Sequence, residues 1–326
     1  LSSREKIVRL LRAHPGEYLS GQEISTSLKI SRAAVWKHVE HLRAAGFEIA
    51  ARRAQGYCLR SLPDLLLADD IMRDLATKVV GREIDCLKQL SSTNLIAREA
   101  AAAGAPEGLV VLADSQSAGR GRLGRNWTSP EGVNLYASVL LRPQLSPLDA
   151  PQLTFLSAVA TAEVLDEVCG LNARVKWPND VLVNGRKIAG LLNELGAETE
   201  QIHFLVLGIG LNVNMSADQF PADLRYPATS VMLETGTTQA RLPLVRALLR
   251  RIDELYHDLL AEGFGPLRRR WEARFDLLDR QVEVDQGQQI ITGVVAGLDT
   301  DGALRLFLPD GRSERILAGD LRPVGR

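Results

Sequence analysis

Between Asp114 and Trp127 the chain reads DSQSAGRGRLGRNW, with Gly119, Gly121 and Gly124 set between Arg120, Arg122 and Arg125. Glycine admits backbone shapes closed to other residues and lets a ligand approach the main chain. Arginine carries a planar fork of donors that matches phosphate and carboxylate. Three guanidinium groups with only Asp114 to offset them cannot be buried without partners. The stretch therefore reads as a mobile anion clamp that orders around a phosphorylated ligand, with Trp127 as an aromatic platform at its end. A solvated basic loop or a nucleic-acid tail fits the composition as well. Lys176, Asp180 and Lys187 bracket a second polar turn, WPND. A lysine there can neutralise a carboxylate or phosphate, and an aspartate can hold a lysine or help to bind Mg²⁺. Surface ion pairs are the alternative for each.

Two apolar segments must position these groups. In IAGLLNE, Gly190, Leu192 and Glu194 share one face by the alternation of a strand. In FLVLGIGLNVN, Gly208, Gly210 and Asn212 share one face, and Leu207, Ile209 and Leu211 take the other. Glycine inside a strand marks the close approach of a ligand or another backbone. If the strands are neighbours, their glycines form a floor without side chains, suited to a flat and mostly apolar small molecule. A barrel corner or tight packing over the glycines is the competing reading. Asn184-Gly185 is a hairpin turn, and Lys187 lies so close to it that alternation does not say which face it takes.

Around these segments the pattern predicts a helix over 65–80, a strand over 84–90, and SSTN with Ser92 or Thr93 capping a helix over 95–103. Strands follow at 108–112 and 134–141, a helix at 152–168, and short strands at 174–177 and 181–183. Helices at 242–262 and 266–275 precede QVEVD, QIITGVVAGL, ALRLFL and SERIL, with turns at Asp301-Gly302 and Asp310-Gly311. That run of short strands reads as a small SH3-like barrel.

The first 62 residues are different. They carry 11 Lys and Arg against 5 Asp and Glu, whereas the remainder carries 28 against 35. Three helices are expected, over 4–13, over 21–28 behind a Ser20/Glu23 capping box, and over 32–45 behind Ser31. In the third, Ala34, Val35, His38, Val39 and Leu42 form the buried face, with Arg32, Trp36, Lys37 and Arg43 largely elsewhere. FEIAARRAQGYCLR then gives two short strands around Arg52, Arg53 and Gly56. This is a helix-turn-helix with a β-hairpin wing. The third helix would enter the major groove, and the wing arginines would reach phosphate or the minor groove. A protein-interaction role is the alternative for such a module, and Trp36 serves equally as a packing residue or a DNA contact.

The 326 residues allow two or three domains. Cys58, Cys86 and Cys169 are dispersed without metal-ligand spacing and fit a reducing cytosol. The charged, amphipathic start is not a signal peptide, and FLVLGIGL is strand length rather than membrane length.

With SRAAVWKHVEHLR, SSTN, QSAGRGRLGRNW, KWPNDV, GRKIAGLLNE and GIGLN in this order, the chain resembles the bifunctional biotin protein ligases that are also biotin operon repressors. The resemblance covers essentially the whole chain. It implies a winged helix-turn-helix at 1–62, a mixed α/β catalytic domain at 63–277 that is SH2-like and akin to class II synthetases, and an SH3-like domain at 278–326. The implied chemistry joins biotin and MgATP as biotinyl-5′-AMP and then acylates a lysine of biotin carboxyl carrier protein, the partner from acetyl-CoA carboxylase. Lys187 would contact the biotin carboxylate and α-phosphate, with Arg120 and Arg122 on the phosphates. Ser92, Thr93, Asn94 and Gln116 would take the head group, in a pocket completed by Gly119, Gly124, Gly190, Leu192, Gly208 and Gly210. Trp127 would stack on adenine. Arg125, Lys176, Asn179, Asp180, Asn212 and Arg322 would complete the nucleotide site. Mg²⁺ would ride mainly on ATP, with Asp180 as its protein contact and as an aid to the carrier lysine. Ser31, Arg32, Trp36, Lys37, Arg52 and Arg53 would face operator DNA. Bound adenylate would order loops, promote a homodimer and tighten its grip on the operator. Leu123 and Ser91 depart from the family pattern, where Arg and Asp are common. A non-catalytic biotin sensor and a lipoate or octanoate ligase are the competing functions.

Overall fold

The computed structural model describes residues 3–44, 46–61, 64–198, 201–287 and 289–324. They form two compact units, 1–65 and 66–326. In the first, α1 (Ser3–Arg12), α2 (Gly21–Leu28) and α3 (Arg32–Ala44) precede a hairpin of β1 (Glu48–Arg52) and β2 (Gly56–Ser61). The Ser20/Glu23 capping box forms with both of its hydrogen bonds, and Ser31 Oγ accepts the Ala34 N–H at 3.1 Å. Ile7, Leu11, Ile24, Val35, Val39, Leu42 and Ile49 make a separate small core. Each such buried aliphatic chain contributes about 1.5–3 kcal/mol. Arg43, expected off the packed face, is half-buried. Its guanidinium donates to the Ile49 carbonyl and to Glu40, pinning the wing to α3. The sequence reads as a short linker over 61–64, of which residues 62 and 63 lie outside the described residues.

The wing depends on one glycine. Gly56 has φ +111°, and a Cβ there would lie 2.0 Å from the Leu19 carbonyl oxygen. Leu19 and Tyr57 exchange backbone hydrogen bonds of 2.9 and 2.8 Å across this contact. Gly56→Ala is expected to break that bridge and destabilise the first unit by at least about 2 kcal/mol. Amide hydrogen exchange over residues 3–61 of the full chain in rising urea checks this, and an unchanged midpoint would refute it.

In the second unit a short helix α4 (Ala68–Met72) leads to β3 (Glu83–Leu90), α5 (Thr93–Ala102), β4 (Leu109–Gln116), β5 (Leu135–Leu141) and α6 (Gln152–Cys169). Next come β6 (Ala173–Lys176), β7 (Asp180–Val183), β8 (Arg186–Ala197) and β9 (Ile202–Leu211). The helices α7 (Val231–Thr235), α8 (Arg241–Glu262) and α9 (Phe264–Glu272) complete the layer. The expected helix over 65–80 is confined to α4. Asp74 and Ala76 take left-handed φ, and the N–H groups of Lys78, Val79 and Val80 donate to the buried Asp253 carboxylate of α8 at 2.8–2.9 Å. A tertiary acceptor thus replaces the helical carbonyls.

The strands form one mixed sheet in the order β3-β4-β5-β9-β8-β7-β6, with only β3–β4 parallel. Leu205, Leu207, Ile209 and Leu211 enter the main core together with α6 and α8. On the opposite face, Val206 packs with Val111, Leu140 and Ala97 of α5. The glycines of β9 continue this second face.

The C-terminal strands β10 (Gln281–Asp285), β11 (Ile290–Leu298), β12 (Leu304–Phe307), β13 (Ser313–Ile316) and β14 (Asp320–Pro323) form a five-stranded antiparallel sheet, as expected for the SH3-like part. Its last strand was not foreseen. Val282, Val284, Val295, Leu304 and Leu321 share the main core of the compact unit 66–326.

Candidate active site

A cavity of about 580 Å³ opens on the glycine-bearing face of the sheet. Its floor forms as the alternation requires, because Gly190 pairs with Gly210 and Leu192 with Gly208 between β8 and β9. Much of that floor is already covered by side chains. A Cβ on Gly210 would lie 2.6 Å from the Trp127 ring, one on Gly190 2.8 Å from it, and one on Gly208 2.2 Å from Asn94 Oδ1. The two explanations for strand glycines therefore both hold: they admit tight packing, and they line a cavity.

Lys187 reaches this face through a bulge. Val181 pairs with Ala189 but Leu182 with Lys187, leaving Ile188 as the extra residue on β8. The inserted residue breaks the two-residue alternation that would have sent Lys187 to the core side with Ala189 and Leu191. Lys187 Nζ instead lies 2.6 Å from Asp180 Oδ1 and 5.3 Å from the Trp127 ring centroid. Lys176 Nζ lies 3.4 Å from the ring centroid of Tyr226. Burial pushes the Lys176 ammonium below the ordinary lysine pKa, with Asp180 opposing the shift and Lys187 adding to it.

The arginine loop is folded on itself. Gly121 N–H donates to the Arg125 carbonyl at 2.7 Å, and Trp127 N–H donates to the Gly119 carbonyl at 2.9 Å. Asp114 does not offset its charge; that carboxylate pairs at 2.9 Å with the buried Arg241. Arg125 pairs with Asp320 of β14 at 2.7 Å, and Asp320 also holds Arg225. Arg122 donates to Asn179 Oδ1 at 3.2 Å, and burial lowers its pKa against the opposing fields of Asp320 and Asp180. Leu123, one of the departures, sits at the loop tip with 79% of its surface exposed, away from the cavity lining.

The head-group candidates converge at the start of α5. Ser92 is the N-cap, but its side chain caps nothing. Gln116 takes that role from β4, its Oε1 accepting the Thr93 N–H at 2.8 Å and its Nε2 donating to Ser129 at 2.9 Å. Asn94 Nδ2 donates to the Leu192 carbonyl and to Glu194, and Asn94 Oδ1 accepts from Ser138.

Ser92, Thr93, Asn94, Gln116, Arg120, Arg122, Arg125, Trp127, Lys176, Asn179, Asp180, Lys187, Gly190, Leu192, Gly208, Gly210 and Asn212 all line the cavity. Three expected residues do not. Gly119 is packed against the Trp127 carbonyl and Ser129, and Gly124 lies out at the loop tip. Arg322 is paired with Glu283 at 2.9 Å, and Asp320 and Leu321 are the cavity residues of its strand. Asn212 lines the cavity while its amide donates to the Thr229 carbonyl at 3.0 Å. Tyr226, Arg225, Asp320, Ser129 and Ser138 were missed, since none belongs to a local pattern that signals a site.

On the first unit Trp36 is 59% exposed, and Ser31, Arg32, Lys37, Arg52 and Arg53 are exposed as well. Arg52 and Arg60 both lie over the Tyr18 ring, at 4.8 and 5.4 Å.

A cation-ringed cavity on a glycine-floored mixed sheet, in a chain that also carries a helix-turn-helix unit, defines a ligase-class protein with a nucleic-acid-binding type of module. Residues 86–212 match the biotin/lipoate A/B protein ligase family, 3–58 an HTH domain, and 277–321 the biotin protein ligase C-terminal domain. The chain is 37% identical over 318 residues to the bifunctional ligase/repressor BirA of Bacillus subtilis, covering 98% of each. It is 32% identical to the Escherichia coli BirA, covering 97% of this chain and 95% of that one. The solved biotin protein ligase of Aquifex aeolicus in complex with biotin and ATP is 30% identical, with a TM-score of 0.64 over 74% of this chain and 98% of that one. The chain belongs to the family of bifunctional biotin protein ligase/repressors.

Proposed function

We propose that the protein is a biotin–[biotin carboxyl-carrier protein] ligase and a biotin-dependent repressor of biotin-synthesis genes. A biotin carboxylate oxygen attacks the α-phosphorus of ATP, the bond from that phosphorus to the bridging oxygen breaks, and pyrophosphate leaves. The amine of one lysine on the carrier of acetyl-CoA carboxylase then attacks the biotinyl carbonyl. The carbon–oxygen bond to phosphate breaks, AMP leaves, and the amine loses a proton that Asp180 would accept or orient. The first step brings anions together, so charge neutralisation and positioning carry most of the catalysis. The observation that carries this reading is Lys187 Nζ held 2.6 Å from Asp180 over the glycine floor, ringed by Arg122, Arg125 and Lys176. A pure biotin sensor needs no such phosphate-binding ring.

We assign Mg²⁺ to the ATP phosphates, with Asp180, which pairs with Lys187 here, as the protein carboxylate that would meet it. There it would neutralise triphosphate charge. We place the ligase in the cytoplasm and the pairing of two copies under control of the bound adenylate. We further divide its work among modules 1–62 for DNA, 63–277 for catalysis and 278–326 as a cap. No helix among the described residues is long and apolar enough to cross a membrane.

Single-turnover incubation of the full chain with labelled biotin, MgATP and a carrier domain tests the ligase. Labelled carrier is expected. A folded protein that binds biotin but makes neither adenylate nor labelled carrier would favour the sensor, and label from octanoate alone would favour the related acid. Operator binding that tightens with biotin plus ATP and weakens steeply with salt is expected for the repressor. Equal affinity in both ligand states would remove the switch.

Lys176 gives a pH signature. Its pKa is depressed in the free site, and an incoming phosphate would raise it again. Its contribution to nucleotide affinity is present below the free-site pKa and is lost as pH rises through the bound-state pKa. Nucleotide binding at alkaline pH, below the ordinary lysine value of 10.5, is therefore expected to take up a proton. Calorimetry in buffers of different ionisation enthalpy reads it, and Lys176→Met should abolish it.

A further inference from the structure

Asn94 faces the cavity, yet its amide is committed to the protein. Nδ2 donates at 2.9 Å to the Leu192 carbonyl and at 2.8 Å to Glu194 Oε2, and Oδ1 accepts from the fully buried Ser138 Oγ at 2.6 Å. One lone pair on Oδ1 is all that remains. The other carboxylate oxygen of Glu194 takes Arg98 Nη1 at 2.8 Å, one helical turn further along α5. A single carboxylate on β8 therefore grips α5 at two successive turns. The helix start between these contacts carries Ser92 and Thr93 into the cavity wall, and Leu192 and Gly208 beneath Asn94 are its floor. Ser138 and Gly208 are paired across β5 and β9, so the amide spans three strands. The absent side chain of Gly208 is what leaves room for it.

We propose that Glu194, with Arg98 behind it, is a positioning residue of the acid-binding pocket. It locks the Asn94 amide in one orientation, and through Asn94 it fixes Ser92 and Thr93 at a set distance from the glycine floor. The amide cannot be turned over, because Oδ1 would then meet the Leu192 carbonyl and the Glu194 carboxylate, and Nδ2 would take the place of the acceptor for Ser138. This rests on the biotin-adenylating reading of the cavity and assigns to that site a shell of residues that touches no ligand. Glu194 and Arg98 are outside the cavity lining, whereas Lys187 and the arginines that would meet phosphate reach the cavity from β8 and the arginine loop. Loosening the α5 grip should therefore act on the acid and spare the nucleotide.

The test is steady-state adenylate formation by the full chain, with biotin and ATP varied separately. Glu194→Ala orphans a buried amide donor and should raise the KM for biotin about tenfold, with kcat and the KM for ATP within about twofold of wild type. Glu194→Gln keeps an acceptor for Asn94 while losing the charge on Arg98, and should fall between the two. Asn94→Asp sets a carboxylate against Glu194 and should be worse than either. Adding Glu194→Gln to it supplies an amide donor to the new carboxylate while the Leu192 carbonyl still opposes it, and should recover part of the biotin affinity, giving a non-additive cycle. A Glu194→Ala protein with wild-type KM for biotin would overturn the proposal, as would equal rises for biotin and ATP or a double variant that is merely additive. Loss of adenylate in the wild type would remove the underlying reading as well; wild-type turnover with indifferent Glu194 variants removes this proposal alone.

Discussion

Lys187→Ala is expected to lower the single-turnover rate of adenylate formation about 10³-fold while the protein stays folded. The backbone at this residue is held independently of its side chain: its N–H donates to the Pro227 carbonyl at 2.8 Å, and its carbonyl accepts from Thr229 at 2.9 Å. Truncation therefore removes an ammonium without releasing the strand. Removing one preorganised donor from a site of developing negative charge typically costs about 10²–10³ in rate. Here the loss falls at the upper end of that range, because Asp180 is left without its partner 2.6 Å away and would repel an arriving phosphate. Lys187→Arg is not expected to restore the rate, since a planar fork cannot occupy the same point beside Asp180 and above Gly190. Rapid-quench detection of adenylate, beside a thermal melt, decides the matter. A rate within tenfold of wild type in a folded variant would take Lys187 out of the charge-neutralising role.

Gly210→Val is expected to disable the nucleotide step by a different route. The added Cβ would sit 2.6 Å from the Trp127 Cε2 and Nε1 atoms. β9 cannot retreat, because it is hydrogen-bonded to β5 on one side and β8 on the other. The indole has little room to shift either, since the Trp127 backbone N–H is held on the Gly119 carbonyl and the ring is also packed against Gly190. Valine suits a strand, so the sheet should survive. Overpacking of this kind costs about 1–3 kcal/mol, equivalent to roughly 10–100-fold, and it falls on the platform proposed for adenine. The KM for ATP should rise by that factor, and the fluorescence of Trp127 should change. Adding Trp127→Ala should relieve the crowding and recover the melting temperature without recovering the ATP KM. Wild-type KM values for both substrates in Gly210→Val would show that the indole has no part in binding.

Legibility in the sequence followed the range of the interactions. The capping box of Ser20 and Glu23, the hairpin at Asn184-Gly185, and the shared faces of Gly190, Leu192, Gly208 and Gly210 were readable because each depends on neighbours within a few residues along the chain. The helix-turn-helix unit was readable for the same reason, down to the buried Val35, Val39 and Leu42. The motifs from SSTN to GIGLN likewise named most of the cavity lining, since residues of those types are brought to one face by regular strands.

What the sequence by itself determined is therefore the periodic part: which residues alternate, which cap and which turn, with a cation-rich, glycine-lined anion site as one of the readings it allowed. Only the tertiary structure decided which partner each charge takes. Asp114 belongs to Arg241 and not to the arginine loop, Arg125 to Asp320 in the last strand, and Gln116 to the Thr93 amide. Residues 78–80 are drawn out of a helix by Asp253, and a one-residue bulge turns Lys187 toward the cavity. Such pairs join residues far apart in the chain, and nothing in local propensity records them. The charge of a side chain is fixed by its type, but its partner is fixed by whichever distant group the packed sheet and helices bring within hydrogen-bonding reach.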